Sequence, residues 1–408
     1  MTPQGAETRL LILTTTRWTP VGMTFGLVTF VPLDRGLSLS QLGTLIAAGC
    51  LLALVFQLPI TGIATTLGNR SVLLAAAALA LVATTTLAVA RDPTQLSIAV
   101  VAVGVSRGLD IGVLEAWYVD ALRARAPLAS FGDAIARAGG TIGTSVAFGV
   151  LVCGLLATWD PVPGWSALVL PALSAAALTA VHLVAVALLI PSPSRAVPRI
   201  SSPSTHRIRT SIHLSIHLAL TTPTLRWVLL SQAVGAAALV ATGTLIPAQL
   251  VELTGGHGAG AAVFGPAAAV GWVLHGLGTS FVAVLGPRIG FAATAAIGRG
   301  ALGLVVLGLS FMTQVEGVIA GMILALLALG VAHAADRAAV QHTVRPDEIG
   351  DAAAAFLAVT TVAAGVSSFV LLPLADVTTM QIALVAAAGA SFVSAAINLP
   401  LAGRRRRG

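Results

Sequence analysis

Residues 71–90 read SVLLAAAALALVATTTLAVA, a run of twenty residues without a charged side chain. A helix needs about 20 mostly apolar residues to cross the roughly 30 Å hydrocarbon core of a bilayer. This stretch therefore predicts a membrane-spanning helix, and the same criterion finds eleven similar runs along the chain. The twelve predicted spans are 11–33, 39–62, 71–90, 95–121, 130–157, 166–190, 226–249, 259–285, 291–312, 316–340, 350–373 and 380–402.

The composition of the 408 residues agrees with an all-helical protein that crosses the membrane many times. Hydrophobic side chains make up 57% of the chain and charged ones 9%, against about 25% charged residues in a soluble domain. Both cysteines lie inside apolar runs, which excludes a secreted disulfide framework. The net charge of +7 comes from arginines in short loops, a distribution that orients a membrane protein and does not predict nucleic-acid binding.

A long polar segment divides the predicted spans into six plus six. We expect an N-terminal six-helix bundle at 1–190, a linker at 191–225, and a C-terminal six-helix bundle with a basic tail at 226–408. Ile208, Ile212 and Ile216 share a stripe in the linker, which favours a short helix on the membrane surface. Eighteen of the 22 arginines fall on the side of the chain ends, so the positive-inside rule predicts cytoplasmic termini in a cell-membrane protein.

The two halves of the sequence repeat short patterns at a constant offset. Residues 67–70 (LGNR) match 285–288 (LGPR), and residues 132–134 (GDA) match 350–352 (GDA), both 218 positions later. Each pair stands at the same point of its half, which predicts a duplicated six-helix unit. Two similar bundles of this kind can rock around a shared central cavity.

Twelve spans, the six-six split and a Gly/Arg turn after spans 2 and 8 resemble the major facilitator superfamily. The resemblance implies two pseudo-symmetric bundles, a cavity between spans 1, 4, 7 and 10, and alternating access. The turn GIATTLGNRS at 62–71 is similar to the family signature in Gly62 and Arg70, and departs from it in Thr66 and Leu67. In that family the turn holds the halves together by charge, and here the candidate gate residues are Gly62, Gly68, Arg70, Asp120, Asp133, Gly286, Arg288 and Asp351. We expect Arg70 to pair with one of the two acids on its side, Asp120 or Asp133.

Predicted span 4 carries charged residues where lipid would not tolerate them alone. A charge at mid-bilayer costs at least about 2.5–3.5 kcal/mol, so it should face a partner or water. On a continuous helix Asp110 lies about 60° to one side of Arg107 and Glu115 about 80° to the other. Two interpretations follow: an Arg107–Asp110 pair that holds helices together, or a site for proton coupling or substrate binding.

The second half offers a candidate of its own. The offset of 218 places His333 opposite Glu115, and histidine titrates near neutrality, although a hydrogen-bonded helix contact explains His333 equally well. Asp336 and Arg337 are expected to form an interface pair. Two other histidines inside spans, His182 and His275, are expected to pack between helices, and Arg299 is expected to extend toward the membrane surface or to pair locally.

Further resemblances bear on the activity. Arg107 and Gly112 resemble the Arg–Gly pair in helix 4 of superfamily antiporters, and residues 115–120 (EAWYVD) resemble a subset of bacterial exporters. They imply proton-coupled export of a small organic molecule; the alternatives are uptake by symport or facilitated diffusion, or a non-transporting sensor or lipid-modifying protein. The chain has no lysine for a phosphate-binding loop. We expect no enzyme activity, cofactor, metal or nucleic-acid partner, and a monomer that handles substrate and protons in the bilayer.

Overall fold

A computed structural model describes residues 3–57, 64, 67–110, 112–124, 132–159, 165–191, 217, 218, 220–345 and 348–404. The regular secondary structure of these residues is helical, and it forms twelve long helices. They are α1 (Pro3–Asp34), α2 (Leu39–Gln57), α3 (Asn69–Val89), α4 (Pro93–Arg123), α5 (Gly132–Trp159), α6 (Val169–Leu189), α7 (Pro223–Thr254), α8 (His257–Ile289), α9 (Phe291–Leu309), α10 (Val315–Gln341), α11 (Ile349–Val377) and α12 (Met380–Arg404).

Eleven of these helices, α2 to α12, are long and apolar enough to cross a membrane. The remaining one, α1, is long but carries charged side chains. It begins at Pro3, earlier than the predicted residue 11, because Ala6 and Leu10 are buried against Leu122 and Val186. The predicted interfacial helix at 208–216 lies outside the described residues.

Two of the helices are interrupted. A continuous span 4 was expected, but α4 consists of α4a (Pro93–Asp110) and α4b (Val113–Arg123), separated at Gly112. Gly112 has a φ of +76°, in the left-handed region that ends an α-helix. The angles predicted for Glu115 on an unbroken helix therefore do not apply. In α7 a π-helical turn at Ala241–Leu245 separates α7a (Pro223–Val240) from α7b (Ile246–Thr254).

The N half (α1–α6) meets the C half (α7–α12) mainly where α5 packs on α8 and α2 packs on α11. Gly154 of α5 and Gly265 of α8 face each other so closely that a Cβ on either would overlap the backbone of the other. Small residues permit such close approach of membrane helices. Nearby, Phe264 packs its ring 5.5 Å from Phe30 and 6.0 Å from Phe25, so the interface has an apolar core.

Because the helices alternate in direction, both described chain ends lie at one end of the bundle, here named the terminal end. The α1–α2 and α7–α8 turns lie at the opposite, distal end. There the Nδ1 atom of His257 lies 3.3 Å from a carboxylate oxygen of Asp34, and the backbone N–H of Ser40 donates to Asp376 over 2.9 Å. Both contacts join the N half to the C half, and we name these four residues the distal latch.

Candidate functional site

A small cavity lies inside the N half, among α1, α3, α4a and α6. Its volume is about 30 Å³, and a water molecule needs about 10–15 Å³. Arginine and histidine side chains and four hydroxyl groups contribute its polar lining: Arg17, Arg107, His182, Thr24, Thr84, Ser106 and Thr179. We name this cavity the N-half pocket. Of the four spans expected to form a central cavity, only the first and fourth line it.

An ion pair joins α1 to α4a beside this pocket. The Nε–H of Arg17 donates to the Oδ2 atom of Asp110, and the two side chains are 14% and 11% exposed. A pair between Arg107 and Asp110, one of the two interpretations of span 4, is therefore replaced by a pair between helices. Arg17 was missed as a site residue, although its position inside predicted span 1 was a signal.

Arg107 lines the N-half pocket. Within the described residues it makes no hydrogen bond or ion pair, and the terminal Nη groups of Arg17 make none either. The pocket region thus holds two guanidinium groups and one carboxylate. Guanidinium is always protonated in proteins, so one positive charge beside the pocket is not balanced by Asp110.

His182 also lines the pocket, where a packing role alone was expected. Its side chain is buried, and its Nδ1 atom lies 3.0 Å from the Oγ1 atom of Thr16 on α1. This contact holds the imidazole ring of His182, on α6, against α1, the helix that also carries Arg17. His182 is therefore a second site residue that the sequence did not single out.

The C half contains a buried charge network of different character. The Nη2 group of Arg299 donates two hydrogen bonds, one to Asp336 and one, over 2.5 Å, to the Oε1 atom of Gln232. All three side chains are at most 1% exposed. The expected pair between Asp336 and Arg337 is therefore wrong, because Asp336 faces α9 while Arg337 is exposed. Nor does Arg299 extend toward the membrane surface.

The other two predicted coupling residues lie apart from the N-half pocket. Glu115 is partly exposed on α4b and makes no hydrogen bond or ion pair with a described residue. His333 of α10 faces α8, where its ring centroid is 6.4 Å from that of His275. His275 in turn packs 5.0 Å from the ring of Trp272. The structure thus places Arg107 and Asp110 at one site, and His333 in a row of rings at the interface of α8 and α10.

The candidate gate residues near the α2–α3 turn make local contacts. The side-chain amide of Asn69 donates to Asp120 over 3.3 Å, and Arg70 donates to the carbonyl of Ala187 over 2.8 Å. Of the two acids expected to pair with Arg70, Asp120 forms no ion pair with it, and the side chain of Asp133 lies outside the described residues. Gly68 has a φ of +86°, which suits a turn ahead of α3.

In the equivalent turn of the C half, between α8 and α9, one candidate gate residue makes a packing contact. Gly286 lies directly against the ring of Phe291, and Arg288 occupies the last turn of α8. Three candidate gate positions lie where the structure does not describe them: Gly62 entirely, and the side chains of Asp133 and Asp351.

The sequence matches the family model of the Major Facilitator Superfamily over residues 10–368. The chain belongs to the major facilitator superfamily. It is accordingly a multi-pass membrane transporter and not an enzyme. No curated protein is significantly similar to it in sequence.

Solved structures of transporters share the fold of this superfamily member. A mutant of the nucleoside transporter NupG superposes with a TM-score of 0.78 at 14% identity, covering 97% of this chain and 99% of that one. A POT family transporter in complex with 5-aminolevulinic acid has a TM-score of 0.74 at 13% identity, covering 98% and 96% of the two chains. At such identities the likeness concerns the fold alone.

Proposed function

We propose that this protein is a proton-coupled secondary transporter of a small organic molecule, working by alternating access, with export as its direction. We place it in the cytoplasmic membrane as a monomer with both termini in the cytoplasm. The observation that carries the proton coupling is the Arg17–Asp110 ion pair between α1 and α4a beside the N-half pocket, whereas the direction of transport rests on a separate argument.

Asp110 is suited to carry the proton because its partner stands on another helix. Burial in an apolar environment favours the neutral form of a carboxyl group, whereas a neighbouring guanidinium favours the charged form. A movement of α1 relative to α4a changes the distance between Arg17 and Asp110. That movement would therefore change whether Asp110 holds a proton, which couples a conformational change to proton binding.

The arrangement of the halves supports alternating access. They pack along α2 with α11 and α5 with α8, and the distal latch joins them at one end. Two bundles packed in this way can rock as rigid bodies about a site between their ends. A closed distal end is the geometry expected of a state that opens toward the terminal end.

Export rests on the resemblance of residues 115–120 to exporters. Uptake by symport is the second candidate, and the ion pair itself favours it. A proton on Asp110 would release the guanidinium of Arg17 beside Arg107, so that a proton and an anionic solute would bind together. The nucleoside and peptide transporters that share the fold suggest a solute of about the size of a nucleoside or a peptide.

The proposal is tested in proteoliposomes that enclose a pH-sensitive dye, with uridine and a dipeptide added outside as probes. We expect a probe to change the lumenal pH with the wild-type chain and not with Asp110→Asn. Glu316→Gln, which removes an exposed carboxylate at the start of α10, is the matched control and should behave as wild type. Lumenal acidification on solute entry indicates symport, and alkalinisation indicates exchange. Equal proton movement in Asp110→Asn and wild type would contradict the proposal.

A further inference from the structure

We infer that the N-half pocket binds an anionic group of the substrate, a carboxylate or a phosphate, between the guanidinium groups of Arg17 and Arg107. This inference rests on the proposed function and deepens it, because it names the chemical class of the solute. It concerns the charge of the substrate and holds for either direction of transport.

The charge balance of the pocket is the first argument. Among the described residues that line it, both charged side chains are arginines and none is a carboxylate. Asp110, beside the pocket, neutralises one of the two positive charges through the Nε–H of Arg17. The remaining positive charge lines the pocket, and a cleft lined by charge of one sign concentrates counter-ions, so it favours an anion supplied by the solute.

The free hydrogen-bond donors are the second argument. The Nη groups of Arg17 and the whole guanidinium of Arg107 make no hydrogen bond or ion pair with a described residue. Guanidinium presents a planar fork of N–H groups that matches the paired oxygens of a carboxylate or phosphate.

The hydroxyl groups around the two arginines do not donate hydrogen bonds to a bound anion. The hydroxyls of Thr24, Thr84, Ser106 and Thr179 each donate to a backbone carbonyl of their own helix. They therefore offer lone pairs and not further donors to a ligand. The donors for a bound anion come from the arginines.

The C-half charge network shows what a pair without a ligand looks like in this chain. There Arg299 and Asp336 balance each other one to one, and Gln232 takes another hydrogen bond of the same guanidinium. Both charged side chains are at most 1% exposed. Arg107 differs on both counts, because it is unpaired among described residues and lines a cavity.

The volume of the pocket sets the size of the group. A cavity of about 30 Å³, against the roughly 10–15 Å³ that one water molecule needs, has room for a group the size of about two or three water molecules, such as a carboxylate. The remainder of the solute must therefore extend beyond the pocket. An organic acid or a phosphate monoester with one charged end fits this description.

The test measures binding to the purified full-length chain by isothermal titration. The probes share a phenyl ring and differ in charge: benzoate, phenyl phosphate, benzyl alcohol and benzyltrimethylammonium. We expect binding of at least one anion and none of the alcohol or the cation, and the relative affinity of the two anions separates carboxylate from phosphate. Arg107→Gln should weaken anion binding about tenfold or more, because it removes a charge-assisted hydrogen-bond donor.

Two further variants complete the test. Arg91→Gln removes an exposed arginine from the α3–α4 turn and should change the affinity by less than about twofold, since distant exposed charges are screened. Thr84→Leu fills the pocket without changing its charge and should also abolish anion binding, which keeps the test decisive if Arg107→Gln does not fold. Binding of the alcohol or cation as tight as that of benzoate, no binding of either anion, or unchanged anion affinity in Thr84→Leu would overturn the inference. The assay needs no proton gradient, so its failure is distinct from a failure of proton coupling.

Discussion

At the scale of single residues, each half places an arginine guanidinium at the same point along its first helix. Arg17 stands on α1, and the residue 218 positions later on α7 is Gly235, whose space is filled by the guanidinium of Arg299. In the N half this group adjoins a pocket and an unpaired Arg107, whereas in the C half it is enclosed with Asp336. The first arrangement suits a ligand, and the second suits helix packing.

The C-half network leads to a prediction about stability. Asp336→Asn leaves Arg299 buried without a counter-charge, and breaking such a pair lowers the free energy of unfolding by about 3–5 kcal/mol. We expect a clear fall in the melting temperature of the detergent-solubilised protein. Replacing both partners, with Arg299→Met and Asp336→Leu, should recover most of that loss, because no charge remains buried. Melting of Asp336→Asn at the wild-type temperature would show that the network does not stabilise the fold.

At the scale of helices, the break in α4 separates two parts of one span that do different things. The segment α4a ends at Asp110, which pairs with α1, while α4b packs Leu114 and Trp117 into a cluster with Leu10 and Leu122. Gly112 joins them with a φ of +76°. A hinge at this position would let α4a and its charges move without disturbing the packing of α4b at the terminal end.

The hinge leads to a prediction about transport rate. An alanine in the left-handed region costs about 1–2 kcal/mol, so Gly112→Ala should disfavour the break and slow transport in proteoliposomes. Gly139→Ala is the control, since Gly139 lies within α5 with open space where the added methyl group would stand, and it should transport at the wild-type rate. If Gly112→Ala transports as fast as Gly139→Ala, the break in α4 is not part of the transport cycle.

The sequence predicted the helices well and their side-chain partners poorly, for a physical reason. Apolar runs of about 20 residues predict spans because the bilayer imposes that length. The partner of Asp110 depends on how α1 is rotated against α4a, and the partner of Asp336 depends on the position of α9, which helical periodicity does not specify. Arg17 could have been found as an arginine within a predicted span.

At the scale of the whole molecule, two of the polar contacts between described residues of the two halves lie at the distal end, and a third, from the hydroxyl of Thr361 to Gln57 over 3.4 Å, lies toward the terminal end. Asp34 accepts a hydrogen bond from Ser166 over 2.7 Å in its own half and faces His257 of the other half. Asp376 of the C half accepts the backbone N–H of Ser40. For alternating access these contacts must break when the distal end opens, so their strength sets the balance between the two states.

Weakening the distal latch should therefore shift this balance toward the distal-open state. Spin labels on cysteines at Trp165 and Val377, exposed residues of the two halves, report the separation of the halves in a chain whose native cysteines are replaced by alanine. We expect Asp34→Asn to populate longer distances between the labels in pulsed electron paramagnetic resonance. Asp92→Asn is the matched control, because the Asp92 carboxylate lies at the same end, accepts the backbone N–H of Gln95 in its own half and makes no hydrogen bond or ion pair with a described residue of the C half. Identical distance distributions in Asp34→Asn and Asp92→Asn would show that the Asp34–His257 contact does not hold the distal end closed.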